Sequence, residues 1–265
     1  ARTVLAAGDI NGTPPTIQQV VIDMPSALLA GNYKLKLSNT QGDSESVIPL
    51  NEIALHDGST WTQATGSAGW SARSAHTSLV YDNKMWVLGG GSTNEVWYST
   101  DGITWTQATA SAAWSGRTGL TSLVYNNKMW VMGGYDGSHY NDVWYSTDGI
   151  IWTQATASAG WAPRFQHTSL VYNNKMWVMG GEAPGIQNDV WSSTDGITWT
   201  QETASAAWSA RANFSAISYD NKMWVMGGDN GTNDVWSSTD GITWTQATAA
   251  AGWSARGEHT SLVYD

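Results

Sequence analysis

Short apolar runs separated by turn residues recur along most of the chain. A Ser-Leu-Val-Tyr segment is followed by Asp-Asn-Lys or Asn-Asn-Lys, in which Asn and Asp tolerate the positive φ of a tight hairpin. The run that follows, Lys-Met-Trp-Val-Met at residues 128 to 132, is apolar on both alternating faces. A strand with two apolar faces is expected in a sheet that is covered on both sides by neighbouring sheets. The pattern therefore predicts an all-β fold built from stacked hairpins.

The hairpins belong to a repeat of about 45 residues that contains all 18 tryptophans. After the hairpin, each complete unit has a Gly-Gly pair, a loop of varying length, Asn-Asp-Val-Trp (Asn-Glu-Val-Trp in the first) and a Ser-Thr-Asp-Gly turn. The spacing matches a four-stranded propeller blade. We therefore predict a β-propeller with four complete blades and one split or incomplete blade. The phrase Trp-Thr-Gln-Ala-Thr, or its Glu variant, begins at Trp61, Trp105, Trp152, Trp199 and Trp244.

Four features of the unit resemble the kelch family over about residues 51 to 265. They are an Arg and then a His ahead of the first strand, a double Gly ending the second, Asn-Asp-Val opening the third, and a Trp in the fourth. The resemblance implies that the His-Thr-Ser-Leu-Val-Tyr strand is innermost and lines a central channel. It also implies that the Arg, Gly-Gly and Trp positions are inter-blade packing devices. The turn at residues 99 to 105 resembles the sialidase Asp-box with one residue missing, and such a box is a structural turn.

The two ends of the chain depart from the repeat. Residues 10 to 17 and 24 to 39 resemble an immunoglobulin-like TIG (IPT) module, with a proline ahead of an Ala-Gly turn and an alternating strand ending in Ser-Asn. Residues 1 to 50 are therefore expected to form either a partial module of this kind or a strand that closes the propeller. The fifth blade has its inner strand at residues 259 to 265 and its outer strands at residues 51 to 65. Residues 33 to 38, a neighbouring chain, or a continuation beyond residue 265 would fill the gap between them.

Composition excludes several classes of function. The chain has no cysteine, which excludes disulfides, thiolate catalysis, Cys-based metal sites and a copper site with a cysteine-modified tyrosine. Its net charge of −10 disfavours nucleic acid and anionic lipid as partners, and no apolar run approaches the roughly 20 residues needed for membrane insertion. Few charged residues and many glycines are typical of exported bacterial surface proteins, so we expect an extracellular or cell-surface location.

No constellation of residues predicts catalysis, a cofactor or a metal. His76, His167 and His259 share one repeat position, but two other units place Leu120 and Phe214 there, which favours a structural or ligand-contact role. Most acidic residues recur once per blade, as expected of turns, rather than as the carboxylate pair that a glycosidase needs. A sialidase- or lyase-like enzyme is therefore the least favoured alternative.

The near-identical units differ mainly in the triplet after the Arg and in the loop after Gly-Gly. Both places lie at the same end of an up-down blade, and loops on a rigid scaffold commonly carry binding residues. We predict a non-enzymatic recognition or adhesion module for a glycan or a protein, with drift in unconstrained loops as the alternative explanation. A structural subunit that forms homo-oligomers or filaments by strand exchange at an open blade edge is the second hypothesis. The predicted ligand-binding residues are Tyr140, His139, Phe165, Gln166, His167, Asn213, Phe214 and Asp229.

Overall fold

The computed structural model describes residues 34–37, 46–49, 61–229 and 231–263, which form strands, turns and loops. The chain divides into two units, residues 1–62 and 63–265. In the first unit, β1 (Lys34–Leu37) pairs with β2 (Ser46–Pro49) in a two-stranded antiparallel sheet. The strand predicted at residues 33 to 38 is thus present. Whether residues 1 to 50 form a partial module or a closing strand stays a prediction, since most of them lie outside the described residues.

The second unit contains four antiparallel four-stranded blades, which confirms the predicted β-propeller. Within each blade, the strands are hydrogen-bonded in the order of the sequence. No described segment is a helix of the length and apolarity needed to cross a bilayer. The strands are β3 (Thr77–Tyr81), β4 (Lys84–Leu88), β5 (Val96–Ser99) and β6 (Thr106–Thr109) in the first blade; β7 (Thr121–Tyr125), β8 (Lys128–Tyr135), β9 (His139–Ser146) and β10 (Thr153–Thr156) in the second; β11 (Thr168–Tyr172), β12 (Lys175–Ala183), β13 (Gly185–Ser193) and β14 (Thr200–Thr203) in the third; and β15 (Ser215–Tyr219), β16 (Lys222–Met226), β17 (Val235–Ser238) and β18 (Thr245–Thr248) in the fourth.

The tight turns between first and second strands have the geometry that the sequence predicts. Asn126 and Asn127 have φ values of 47° and 55°, and the other three hairpins repeat this pair of left-handed residues. Asparagine and aspartate adopt this conformation more readily than other residues with side chains. The local sequence therefore fixes the register of the inner hairpin in every blade.

The apolar core lies between neighbouring blades. Met129 and Val131 are fully buried and belong to one cluster with Trp86 of the preceding blade. Gly149 packs against the same Trp86 ring, so closely that an added Cβ would lie 2.2 Å from the ring. The prediction that the second strands are buried between blades is confirmed for the second, third and fourth blades, which we call the interior blades. At the outer surface of the first blade, the equivalent Met85 is 39% exposed.

A buried ion pair ties the start of each interior blade to its third strand. The Arg164 guanidinium donates to both Asp189 carboxylate oxygens, at 2.6 and 2.8 Å, and to the Gly180 carbonyl. The Arg164 carbonyl accepts from the backbone N–H of Gly134 in the preceding blade. The repeated arginine thus links blades through its backbone, whereas its side chain stabilises its own blade. This refines the inter-blade role that the family resemblance implies.

The predicted fifth blade is only partly within the described residues. Residues 259–263 follow the fourth blade as irregular chain, and Glu258 N–H donates to the Asn213 carbonyl at 2.9 Å. The inner strand predicted to begin at residue 259 is not formed there, because a strand needs a ladder partner and its second strand is not among the described residues. Residues 61–65 are likewise irregular, and the rest of the predicted outer pair lies outside the described residues.

Candidate functional site

The variable triplets of the five units are joined by backbone hydrogen bonds. Ala75, Gly119, Gln166, Asn213 and Glu258 all have φ between 51° and 62°. From Gly119 onwards, the N–H of each residue donates to the carbonyl of the equivalent residue in the preceding unit, at 2.9 to 3.0 Å. The left-handed conformation is unfavourable for residues such as Ala, Gln and Glu, so the adjoining units must hold it in place. We call these five residues the rim.

The loops after Gly-Gly stand beside the rim. Isolated β-bridges join Thr118 to Tyr135 and Phe165 to Glu182. In the second and third blades, β8 with β9 and β12 with β13 extend past the glycines, whereas the corresponding strands of the first and fourth blades are shorter. The triplets after the Arg and the loops after Gly-Gly therefore lie on one face, which we call the variable face. The hairpins β8–β9 and β12–β13 project furthest on this face.

Three rings from neighbouring blades form an aromatic cluster on the variable face. Tyr135 and His139 of the second blade and Phe165 of the third lie with ring centroids 5.0 to 5.2 Å apart. All three side chains are half-buried. Next to them, the Tyr140 ring stacks against the Arg117 guanidinium at 3.9 Å. Tyr140 is held against Arg117, and the three clustered rings form a half-buried aromatic patch, in which the His139 Nε2 atom is buried without a partner.

The other predicted site residues divide into buried and accessible ones. His167 and Phe214 are only 5% and 6% exposed, so their side chains support the variable face from below. Gln166 and Asn213 are half-buried on the rim, and the Asn213 amide donates to the exposed Asp229 carboxylate. No contact with a ligand tests these assignments, which stay predictions.

His167 is neutral at physiological pH. Burial, with a further contribution from the nearby charge of Arg164, lowers its pKa to about 3. Its Nε2 lies 2.9 Å from the Thr121 hydroxyl, and its ring packs 5.9 Å from Trp161. Across residues 61–229 and 231–263, no three His, Asp or Glu side chains are grouped as metal ligands.

A cavity of about 290 Å³ opens beneath the rim. The inner strands β3, β7, β11 and β15 and residues 259–261 line it, which confirms the innermost strand that the family resemblance implies. The lining is mainly serine and threonine hydroxyls, with the Phe214 ring and the imidazoles of His76 and His259. Burial, followed by a nearby arginine charge, lowers the pKa of both imidazoles. The cavity is therefore polar but uncharged near neutral pH.

Sequence reasoning missed part of this arrangement. Tyr135 follows the Gly-Gly pair inside a variable loop, but its packing against Phe165 depends on contact between blades. Thr168 and Ser169 belong to the cavity lining, but their Thr-Ser pair recurs in most units and therefore does not stand out in the sequence as a binding position. The sequence signal for this site is Ala216, which replaces the serine of the pair in one unit only.

Comparisons with known proteins bear on the fold and the family. The family described as "KLHDC2/KLHL20/DRC7 Kelch-repeats domain" matches residues 42–181, and the "DUF6242 beta propeller domain" matches residues 146–256. No curated protein matches the chain significantly. The solved structure titled "Structure of YjhT" superposes with a TM-score of 0.61 at 14% sequence identity, covering 74% of this chain and 70% of that one, and this likeness concerns the fold alone. With more than half of its length matched by the kelch-repeat profile, the chain belongs to the kelch-repeat β-propeller family.

Proposed function

We propose that this propeller is a non-enzymatic recognition module that binds a protein partner through the variable face. The observation that carries the proposal is the aromatic cluster of Tyr135, His139 and Phe165, which stands on a rigid rim where otherwise near-identical units differ. A rigid binding surface loses little conformational entropy on association. Aromatic residues in such positions often dominate the binding energy of protein interfaces.

The chemistry around the cluster favours a protein segment that carries basic residues. Exposed or half-buried carboxylates of Asp136, Glu182, Asp229 and Glu258 surround the variable face. Hydrogen bonds from Tyr140 and Ser138 lower the pKa of Asp136 and outweigh its desolvation, so this carboxylate is charged at neutral pH. Because the three rings pack on one another, they present one compact aromatic patch rather than separate platforms for an extended glycan. The composition supports an extracellular or cell-surface setting, in which adhesion is the corresponding role.

The test begins with selection of binders from a displayed library of random peptides, followed by affinity measurements on variants. Phe165→Thr introduces the residue that the second blade has at this position, so the framework is expected to tolerate it. We expect at least about 30-fold weaker binding, which corresponds to about 2 kcal/mol. Thr147→Ala, in an exposed turn at the other end of the blade, is the control and should bind like the wild type. Equal affinity of Phe165→Thr and wild type, or selective binding to a glycan array alone, would refute the proposal.

Self-assembly is a second candidate function, and one observation favours it. Met85 and Trp253 are 39% and 38% exposed, whereas the residues at the same repeat positions in the interior blades are at most 1% exposed. These two surfaces correspond to the two sides of an inter-blade contact, so copies of the chain could associate head to tail. Light scattering and electron microscopy should then show oligomers or filaments that Met85→Glu disrupts. Monomers at high concentration would exclude this function.

A further inference from the structure

Hydroxyl groups join the inner strands across the channel wall. Between the first two blades, the Thr77 hydroxyl lies 2.6 Å from the Ser122 hydroxyl. Between the fourth blade and residues 259–263, Ser215 and Ser261 are hydrogen-bonded in the same way. Each inner segment is counted here from the third residue after the repeated Arg, which is His76, Leu120, His167, Phe214 or His259. At these two junctions, the second residue of one segment pairs with the third residue of the next. Each pair uses part of the hydrogen-bonding capacity of the lining.

The third blade breaks this rule on both of its sides. Towards the second blade, Thr121 bonds to His167, and the Ser169 hydroxyl that would otherwise receive it is buried without a partner. Towards the fourth blade, the position that would pair with Thr168 is Ala216, which has no hydroxyl. A buried polar group without a partner is uncommon and commonly indicates a bound water or ligand. Thr168 belongs to the lining of the cavity, and its hydroxyl has no partner there; the Ser169 hydroxyl lies just behind the lining, without accessible surface of its own.

The cavity lining also restricts the charge of a ligand. Among the described residues that line this cavity, no side chain carries a formal charge near neutral pH, because burial keeps the pKa of both imidazoles below its usual value. A charged ligand would lose its hydration without gaining a counter-charge, whereas hydroxyls both donate to and accept from a neutral polar ligand. The Phe214 ring supplies an apolar wall in the same cavity. At about 290 Å³, the space is just below the usual range for drug-sized ligands and suits a single small ring.

We propose that the channel mouth binds one neutral sugar ring, held by the Thr168 hydroxyl beside Phe214. This site is distinct from the aromatic cluster, and its ligand class differs from the protein partner proposed above. A free monosaccharide and the terminal residue of a glycan share the chemistry that the site recognises. With few contacts to so small a ligand, the dissociation constant is expected to lie in about the millimolar range.

The test uses saturation-transfer NMR and calorimetric titration of the whole chain with three similar probes. D-glucose and N-acetyl-D-glucosamine are neutral, whereas D-glucuronate carries a negative charge. We expect at least one neutral sugar to bind and glucuronate not to bind. A disaccharide that contains the bound sugar, titrated in parallel, distinguishes a free monosaccharide from a terminal glycan residue.

Two variants locate the binding. Thr168→Val removes the hydroxyl at nearly constant shape, and Ala216→Ser supplies the partner that Thr168 lacks. Each should weaken sugar binding about 10-fold or more, whereas Thr153→Val on an exposed outer strand should not change it. Absence of binding by both neutral sugars, or unchanged binding in both variants, would overturn the proposal. Phe165→Thr should leave sugar binding intact while it impairs the protein partner, so failure of either proposal can be recognised separately.

Discussion

Replacing Trp130 by Ala tests whether the core of this protein is the contact between blades. Trp130 is 3% exposed in β8, its indole N–H donates to the Tyr125 carbonyl at 2.9 Å, and its ring lies 5.2 Å from the Tyr145 ring. Gly196 of the next blade packs directly on this ring. The substitution would leave a cavity and a buried carbonyl without its donor. Large-to-small changes of this kind cost about 3 to 5 kcal/mol.

The chain offers a matched control in Trp224 of β16. Its indole N–H makes the same bond, to the Tyr219 carbonyl at 2.9 Å, but the side chain is half-buried. Trp224→Ala should therefore cost clearly less, about 1 to 2 kcal/mol, because the lost apolar burial is smaller. Urea denaturation followed by far-UV circular dichroism measures both variants. Equal losses at the two positions, or a loss below about 1 kcal/mol for Trp130→Ala, would refute the inter-blade origin of this stability.

Two further substitutions test the buried polar framework. Asp189→Asn should lower the free energy of unfolding by about 3 to 5 kcal/mol, because it leaves the fully buried Arg164 without its counter-charge. The matched control is Glu95→Gln, in the more exposed ion pair of the first blade, which should lower the free energy of unfolding by less. A larger loss for Glu95→Gln than for Asp189→Asn would contradict this reasoning. His167→Leu introduces the residue of the second blade and should flatten the pH dependence of stability between about pH 6.5 and 4.5. Since burial lowers the folded-state pKa of His167 to about 3, the unfolded chain takes up the proton first and wild-type stability falls by up to about 1.4 kcal/mol per pH unit below 6.5. Parallel pH profiles of wild type and variant would contradict it.

The framework could be predicted because each of its elements depends on local sequence. The Asn126 and Asn127 turn fixes a hairpin, and the two-sided apolar strand after it requires sheets on both faces. The Ser-Thr-Asp-Gly turn is also local: the Asp101 carboxylate accepts from the N–H groups of Ile103 and Thr104, which confirms the structural role expected of an Asp-box-like turn. Repetition of these signals at a nearly constant spacing of about 45 residues then specified the propeller.

The details of the candidate sites could not be predicted because they arise from contacts between units. Nothing in a single triplet reveals that Gln166 donates to the Gly119 carbonyl and accepts from Asn213, since these residues are 47 positions apart in the chain. The unpaired Ser169 hydroxyl results from a competition for Thr121 that only the packed inner strands define. Burial of a rim neighbour such as Phe214 likewise depends on the blade beside it.

In the third blade two exchanges contact one another, whereas the fourth blade has the same serine, Ser237, beside Ala247. This bears on whether the variable face is a product of drift. In the second blade, Lys128 lies 4.0 Å from the Tyr145 ring, whereas the third blade has Ser192 at that ring's position. The third blade also has Glu202 in place of alanine, and Glu202 accepts from both Ser192 and Lys175.

On the variable face, residues that depart from the common pattern contact one another. Phe165 packs on Tyr135 and His139 of another blade, and Asn213 bonds to Asp229. Independent drift in unconstrained loops predicts exchanged residues that make no contact with one another, whereas selection for a defined surface predicts exchanged residues whose side chains pack or form hydrogen bonds. The contacts follow the second pattern, which is the physical reason to look for a partner on this face.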